Sequence, residues 1–101
     1  MMTSFEMDFL VPHDFPCFAG HFPAMPLVPG ALLLDWAIAE MTVRWGATAP
    51  INIKLCKFLQ PVFPGDALHL HVDIGDQRGD FVWTKATQPA CTGVLTFAEA
   101  A

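Results

Sequence analysis

Residues 20–35 read GHFPAMPLVPGALLLD, and within this stretch a proline-rich loop gives way to a helix. Each proline ring fixes one backbone dihedral, so Pro23, Pro26 and Pro29 stiffen the loop. Pro29 also suits a first helical position, where its missing N–H costs nothing. From there ALLLDWAIAEMTVRW runs without a breaker to Gly46, predicting one helix of about 17 residues. Its first three turns are apolar on every side except for Asp35, the pattern of a helix buried all round.

Working outward, residues 3–11 (TSFEMDFLV) predict a first strand, with Phe5, Met7 and Phe9 alternating against Glu6 and Asp8. The loop over 12–29 holds Pro12, Pro16, Pro23, Pro26 and Pro29. Such a loop is cheap to hold in one geometry, which suits a site. After Pro50 the period shortens to two, giving a strand over 51–58. The turn PVFPGD follows, then a strand in which Leu68, Leu70, Val72 and Ile74 alternate with His69, His71 and Asp73. GDQRGD reads as a turn before FVWTKATQ, and QPA as a break before CTGVLTFAEA. The expectation is therefore an α+β fold: a strand, a stiff loop, one long central helix, then four strands in a meander. An antiparallel sheet of five to six strands would wrap the helix. One thin sheet covers one side of a helix, so dimerisation into a continuous sheet is expected to cover the rest and remove an exposed edge.

Composition agrees. A chain of 101 residues is read as a single domain over 1–101. Apolar residues make up 53% and charged residues 15%, more apolar surface than a domain this small can bury alone, which again implies an oligomer. The longest charge-free run, between Asp14 and Asp35, is broken by prolines and cannot cross a membrane as a helix. MMTSFEMDF lacks the basic and apolar regions of a signal peptide, so a cytoplasmic location is expected. Cys17, Cys56 and Cys91 are odd in number and have no CxxC spacing, as expected for reduced thiols. A net charge of −5 without a basic stripe argues against nucleic-acid binding, although a few bases could still meet an acidic protein.

Three groups in residues 20–35 point to chemistry. Asp35 sits in an apolar helix, where an ionised carboxylate needs compensation by a partner or a raised pKa. His21, in the stiff loop, is a candidate general base near neutral pH. At Gly30, free helix N-terminal amides and the positive end of the helix dipole could stabilise the oxygen of an enolate-like intermediate, with no side chain in the way.

GHFPAMPLVPGALLLD, the upstream HDFPCFAGHFP and the downstream KFLQPVFPGD (57–66) together resemble bacterial 3-hydroxyacyl-[acyl-carrier-protein] dehydratases, which have the hotdog fold. The resemblance spans roughly residues 3–98. It implies reversible dehydration of 3-hydroxyacyl thioesters to trans-2-enoyl thioesters, without metal or redox cofactor. His21 would abstract the α-proton, Asp35 would protonate the departing β-hydroxyl, and the Gly30 amide would bind the thioester carbonyl. In the family, base and acid come from different subunits of a dimer. Phe18, Phe22 and Phe58 would line an acyl tunnel, core packing being the plainer reading for any one of them. The substrate would arrive on an acidic acyl-carrier protein, for which Lys54, Lys57 and Arg44 are candidate contacts. Asp35 stands where the broad-specificity elongation enzymes carry Glu, and aspartate is one methylene shorter. Short single-domain relatives occur in specialised routes such as aryl polyene pigment synthesis.

Two alternatives stand beside this reading: a non-catalytic or half-site subunit that pairs with a related chain in a hetero-oligomeric dehydratase, and a hotdog acyl-thioesterase, which shares the fold and a helical acid but does not need the His-Phe-Pro loop. His69-x-His71 lacks a third metal ligand at useful spacing and reads as a solvated sheet face. Met25 and Met41 read as packing residues, and Trp36 and Glu40 as structural neighbours of Asp35. Cys17 near His21 does not by itself make a nucleophile pair.

Overall fold

A computed structural model describes residues 3–12, 28–45, 50–75 and 77–97, apart from the side chains at 45, 50 and 51. Strand β1 (Thr3–Leu10) is followed by helix α1 (Gly30–Trp45), then by β2 (Pro50–Phe58), β3 (Ala67–Gly75), β4 (Arg78–Lys85) and β5 (Gln88–Phe97). The strands form one antiparallel sheet in the order β1-β3-β4-β5-β2.

That order corrects the expected four-strand meander. Only β3, β4 and β5 are sequential neighbours; β2 pairs with β5 at the far edge. Alternation marks a segment as a strand but does not choose its neighbour. Residues 59–66 make the choice by carrying the chain across the sheet. The segment begins with Leu59 N–H donating to the carbonyl of Ala90 in β5 (2.8 Å). It ends where Val11 N–H donates to Asp66 O (2.9 Å) and Gly65 N–H to Val11 O (2.8 Å), at the end of β1.

Two strand boundaries also differ from expectation. β4 begins at Arg78, inside the supposed GDQRGD turn. Gly79 is closely packed there: an added Cβ would lie 3.1 Å from the Phe97 ring and 3.2 Å from Met41 Sδ, so those side chains would have to give by a few tenths of an ångström. Asp80 points outward and accepts from Arg78 Nε (2.9 Å). The β4–β5 turn is Ala86-Thr87, not residues 88–90, and both residues have positive φ (50° and 66°). Two left-handed residues make the hairpin turn that matches strand twist, but Asn-Gly is its usual signal. Ala-Thr gives no such signal, and a β-branched residue is strained there.

The core lies between one sheet face and α1. Period-two burial brings in Leu68, Leu70 and Val72 from β3, Phe81 and Trp83 from β4, and Cys91 and Leu95 from β5. Leu33, Ala37 and Met41, four apart on α1, meet them. Trp83, fully buried, donates its indole N–H to the Leu33 carbonyl at 2.9 Å. Phe9 packs between helix and sheet, its ring 4.8 Å from Trp36 and 5.7 Å from Trp83.

The helix is not buried all round in the single chain. Ala31, Asp35, Ala39 and Val43, on the face opposite Leu33, Ala37 and Met41, are exposed, Val43 by 79%. One sheet covers one stripe of a helix, and here the other stripe stays apolar. Ile53, Leu55, Phe58 and Leu59, on and just after β2, add to this exposed apolar surface.

On the outer face, β1 acids oppose β3 histidines in register, Glu6 to His71 and Asp8 to His69. His69 Nδ1 is 2.9 Å from Asp8 and Nε2 is 2.9 Å from Glu6; His71 is 3.3 Å from Glu6 and 3.2 Å from Asp73. Hydrogen bonds to Asp8 and then Glu6 hold the His69 pKa above its usual 6.5. A hydrogen bond to Glu6 does the same for His71. Bonds from His69 and then His71 hold Glu6 below its usual 4.5.

Raised histidine values contribute stability fully below 6.5, which is lost as pH rises through their folded values. The lowered Glu6 value contributes stability above 4.5, lost as pH falls through its folded value. Urea midpoints should therefore be higher near pH 6 than near pH 8.5. The difference should shrink in a His69→Gln/His71→Gln double variant, because these groups supply it. A second prediction concerns the core. A Cβ on Gly93 would fall 2.3 Å from Cε1 of buried Phe81, so Gly93→Ala should destabilise by about 1–3 kcal/mol in denaturant titration.

Candidate active site

Val28 N–H donates to the Val62 carbonyl at 2.7 Å, tying the approach to α1 onto the crossing segment. Leu32 N–H then donates to Pro29 O at 3.0 Å and closes the first turn. The amides of Gly30 and Ala31 precede any intrahelical acceptor, and the positive end of the helix dipole lies with them. Beside this terminus is an open cleft of about 490 Å³. Val28, Gly30, Ala31 and Leu33 form one wall, and residues 58–62 form the other.

Gly30 is not simply open to a ligand, as the sequence suggested. A Cβ there would lie 2.5 Å from Cε1 of Phe58, so the glycine lets that ring sit against the helix start. Phe58 is 56% exposed, which places it at the cleft rather than in the core.

Asp35 is exposed, which corrects the expectation of a buried carboxylate. The physical reason is its position on the helix stripe that the sheet leaves uncovered. It lies four residues beyond Ala31, so it follows a cleft-lining residue by about 6 Å along the axis. The desolvation argument made from sequence therefore does not hold for one chain alone. Among the expected site residues, His21, Phe18 and Phe22 lie outside the described residues, as does Cys17.

The three candidate bases separate. Lys54 and Lys57 are exposed on β2, and Lys57 adjoins Phe58. Arg44 is near the C-terminus of α1, about 21 Å along the axis from Gly30. It stacks 4.1 Å over the Phe5 ring and lies 3.7 Å from Glu40. The structure thus does not bring Arg44 to the cleft.

The sequence reading missed the supports of the cleft wall. Gln60 Nε2 donates to the carbonyls of Gln88 (3.0 Å), Pro89 (3.3 Å) and Lys85 (3.4 Å). Lys85 Nζ reaches Pro61 O at 3.0 Å and Asp66 Oδ2 at 2.8 Å. The signal was hidden because the turn beside Lys85 was placed at the wrong residues.

The Cys91 thiol is a poor nucleophile. Burial, and then the adjacent Cys56 thiol, push Cys91 up to about 12, so it stays protonated near neutral pH.

One helix on one face of a five-stranded antiparallel sheet, with a cleft at the helix N-terminus, defines a hotdog protein. The chain belongs to the ApeI-like family, described as ApeI dehydratase, whose family model matches residues 1–94. It is 36% identical over 103 positions to the 3-hydroxyacyl-[acyl-carrier-protein] dehydratase FabZ of Roseiflexus castenholzii, covering 88% of this chain and 71% of that one. It is 34% identical over 91 residues to FabZ of Pseudoalteromonas translucida, covering 79% of this chain and 59% of the relative. The chain thus spans roughly three fifths to seven tenths of these curated relatives. Among solved structures, the dehydratase heterocomplex ApeI:P from Xenorhabdus doucetiae superposes with a TM-score of 0.86 at 24% identity, covering 95% of this chain and 88% of that one.

The Gly30–Phe58 contact can be tested directly. In Gly30→Ala the exposed Phe58 ring can swing outward, whereas buried Phe81 cannot yield to Gly93→Ala. Gly30→Ala should therefore cost less stability than Gly93→Ala in parallel urea titrations, and a crystal structure should show Phe58 displaced from the helix start.

Proposed function

We propose that the chain reversibly dehydrates 3-hydroxyacyl thioesters to trans-2-enoyl thioesters. The observation that carries this reading is the opening of α1 at Gly30 onto the cleft, with Asp35 one turn beyond the lining residue Ala31. Family membership supplies the reaction class.

In this reading the thioester carbonyl oxygen accepts from the Gly30 amide. His21 takes a proton from the α-carbon, and negative charge moves onto that oxygen, where the amide and the helix dipole stabilise it. As the electrons return, the α–β double bond forms and the β-carbon–oxygen bond breaks. Asp35, protonated, gives its proton to the leaving hydroxyl, which departs as water. His21 and Asp35 thereby exchange protonation states. No proton acceptor beyond these two is required.

The exposed stripe of α1 and the edge strand β2 support assembly with a second hotdog chain, so that base and acid meet between subunits. Delivery by an acyl-carrier protein is supported by the relatives' names, with Lys57, next to Phe58 at the cleft, and Lys54, further along β2, as contacts for its acidic surface. Phe58, with Phe18 and Phe22, would flank the acyl chain. A second reading, a subunit that needs a different hotdog chain to complete its site, draws on the heterocomplex state of the Xenorhabdus doucetiae relative.

The test is a dehydration assay on purified chain with a 3-hydroxyacyl thioester, following enoyl thioester formation. The unaltered chain should turn over. His21→Ala and Asp35→Asn should each lower kcat by about 10²–10⁴-fold, the usual contribution of a general base or acid. Normal turnover in either variant would remove that residue from its role. An inactive homo-oligomer rescued by a related chain would favour the second reading.

A further inference from the structure

Beyond Phe58, the wall of the cleft facing the helix start has no regular structure of its own, so something must fix its distance from the Gly30 amide. Three polar ties from one hairpin do this. Lys85, at the end of β4, donates to the Pro61 carbonyl and pairs with Asp66, at 3.0 and 2.8 Å. Its Nζ also lies 5.0 Å from the centre of the Phe63 ring. Asp66 Oδ2 accepts in addition from the Phe63 backbone N–H (2.8 Å), so one ammonium and one carboxylate close residues 61–66 into a compact turn. Gln60 holds the segment from its other end, on the carbonyls of the same hairpin. Between these ties sits Val62, 1% exposed, whose carbonyl accepts the Val28 amide.

We infer that Lys85 is a positioning residue for the reaction: through Pro61 and Asp66 it sets where the Val62 carbonyl holds the helix entry, and hence where the Gly30 amide points. The inference rests on the dehydratase reading of the cleft. The Lys85 and Asp66 side chains are only 24% and 22% exposed, so the pair is better shielded than a surface ion pair, most of which hold nothing in place. The hairpin is itself a firm anchor, because the left-handed Ala86-Thr87 turn is held by Lys85↔Gln88 pairing and by the Gln60 amide. A shift of about 1 Å in a reacting group can lower rate roughly 100-fold, so a brace of this kind acts on kcat without touching substrate.

The experiment compares the unaltered chain with Lys85→Met, Lys85→Arg and Asp66→Asn. Methionine keeps an unbranched apolar stem and removes both ties, arginine can restore them, and asparagine keeps an acceptor for Phe63 N–H while removing the charge. Lys85→Met and Asp66→Asn should lower kcat by about tenfold or more with KM within about threefold, and Lys85→Arg should recover most of the loss. Hydrogen exchange at the Val28 amide should quicken by a similar factor in the same two variants. A merely structural role would lower the melting temperature and leave kcat of the folded enzyme and Val28 exchange unchanged. That result in Lys85→Met, or in Asp66→Asn should Lys85→Met not fold, overturns the proposal. If the unaltered chain shows no dehydration, the functional reading fails separately, and Val28 exchange still decides whether the brace exists.

Discussion

The hydrogen bond from the Trp83 indole to the Leu33 carbonyl fixes the helix to the sheet, and the rest of the arrangement depends on where it does so. Apolar packing of Leu33, Ala37 and Met41 would let a helix slide along the strands at small cost. A directional donor, fully buried on β4, does not. Its net contribution is about 0.5–1.5 kcal/mol, modest beside the apolar burial around it. Its larger effect is on register. Leu33 is one turn into α1, so the bond sets the height of the helix start above the sheet, and with it the position of the Gly30 amide at the cleft.

The inner sheet face was legible because burial follows a period of two, and the helix because nothing between Pro29 and Gly46 interrupts it. What the residues did not reveal was partnership. Alternation in 51–58 marked β2 correctly but left its neighbour open, and contacts made by residues 59–66 decided that. The β4–β5 turn escaped because Ala86-Thr87 carries none of the usual turn chemistry; long-range ties hold it in place. Lys85 was hidden for the same reason, since nothing local marks a lysine as a brace.

The candidate site was legible in part. Gly30 falls at the helix start as read, but the space it leaves receives the Phe58 ring, a residue 28 positions later that no local pattern could place there. Asp35 stood out as the lone acid of an apolar stretch. That anomaly is compatible with a buried face or with a face awaiting cover, and composition does not separate the two. Arg44 was grouped with the lysines by charge alone, whereas helix length carries it to the opposite end, against Phe5.

The edge position of β2 has a consequence for molecular choice. Main-chain N–H and C=O groups along an outer strand form a ladder that is blind to sequence, so any strand of suitable length can add to it, including an aggregating one. If a second hotdog chain adds to that edge, discrimination resides in the exposed side chains on the strand and on the open helix stripe away from the cleft: Lys54 and Lys57 on β2, Ala39 and Val43 on α1. Changes confined to those four positions would alter which strand the edge accepts while leaving the core, the cleft and its brace intact.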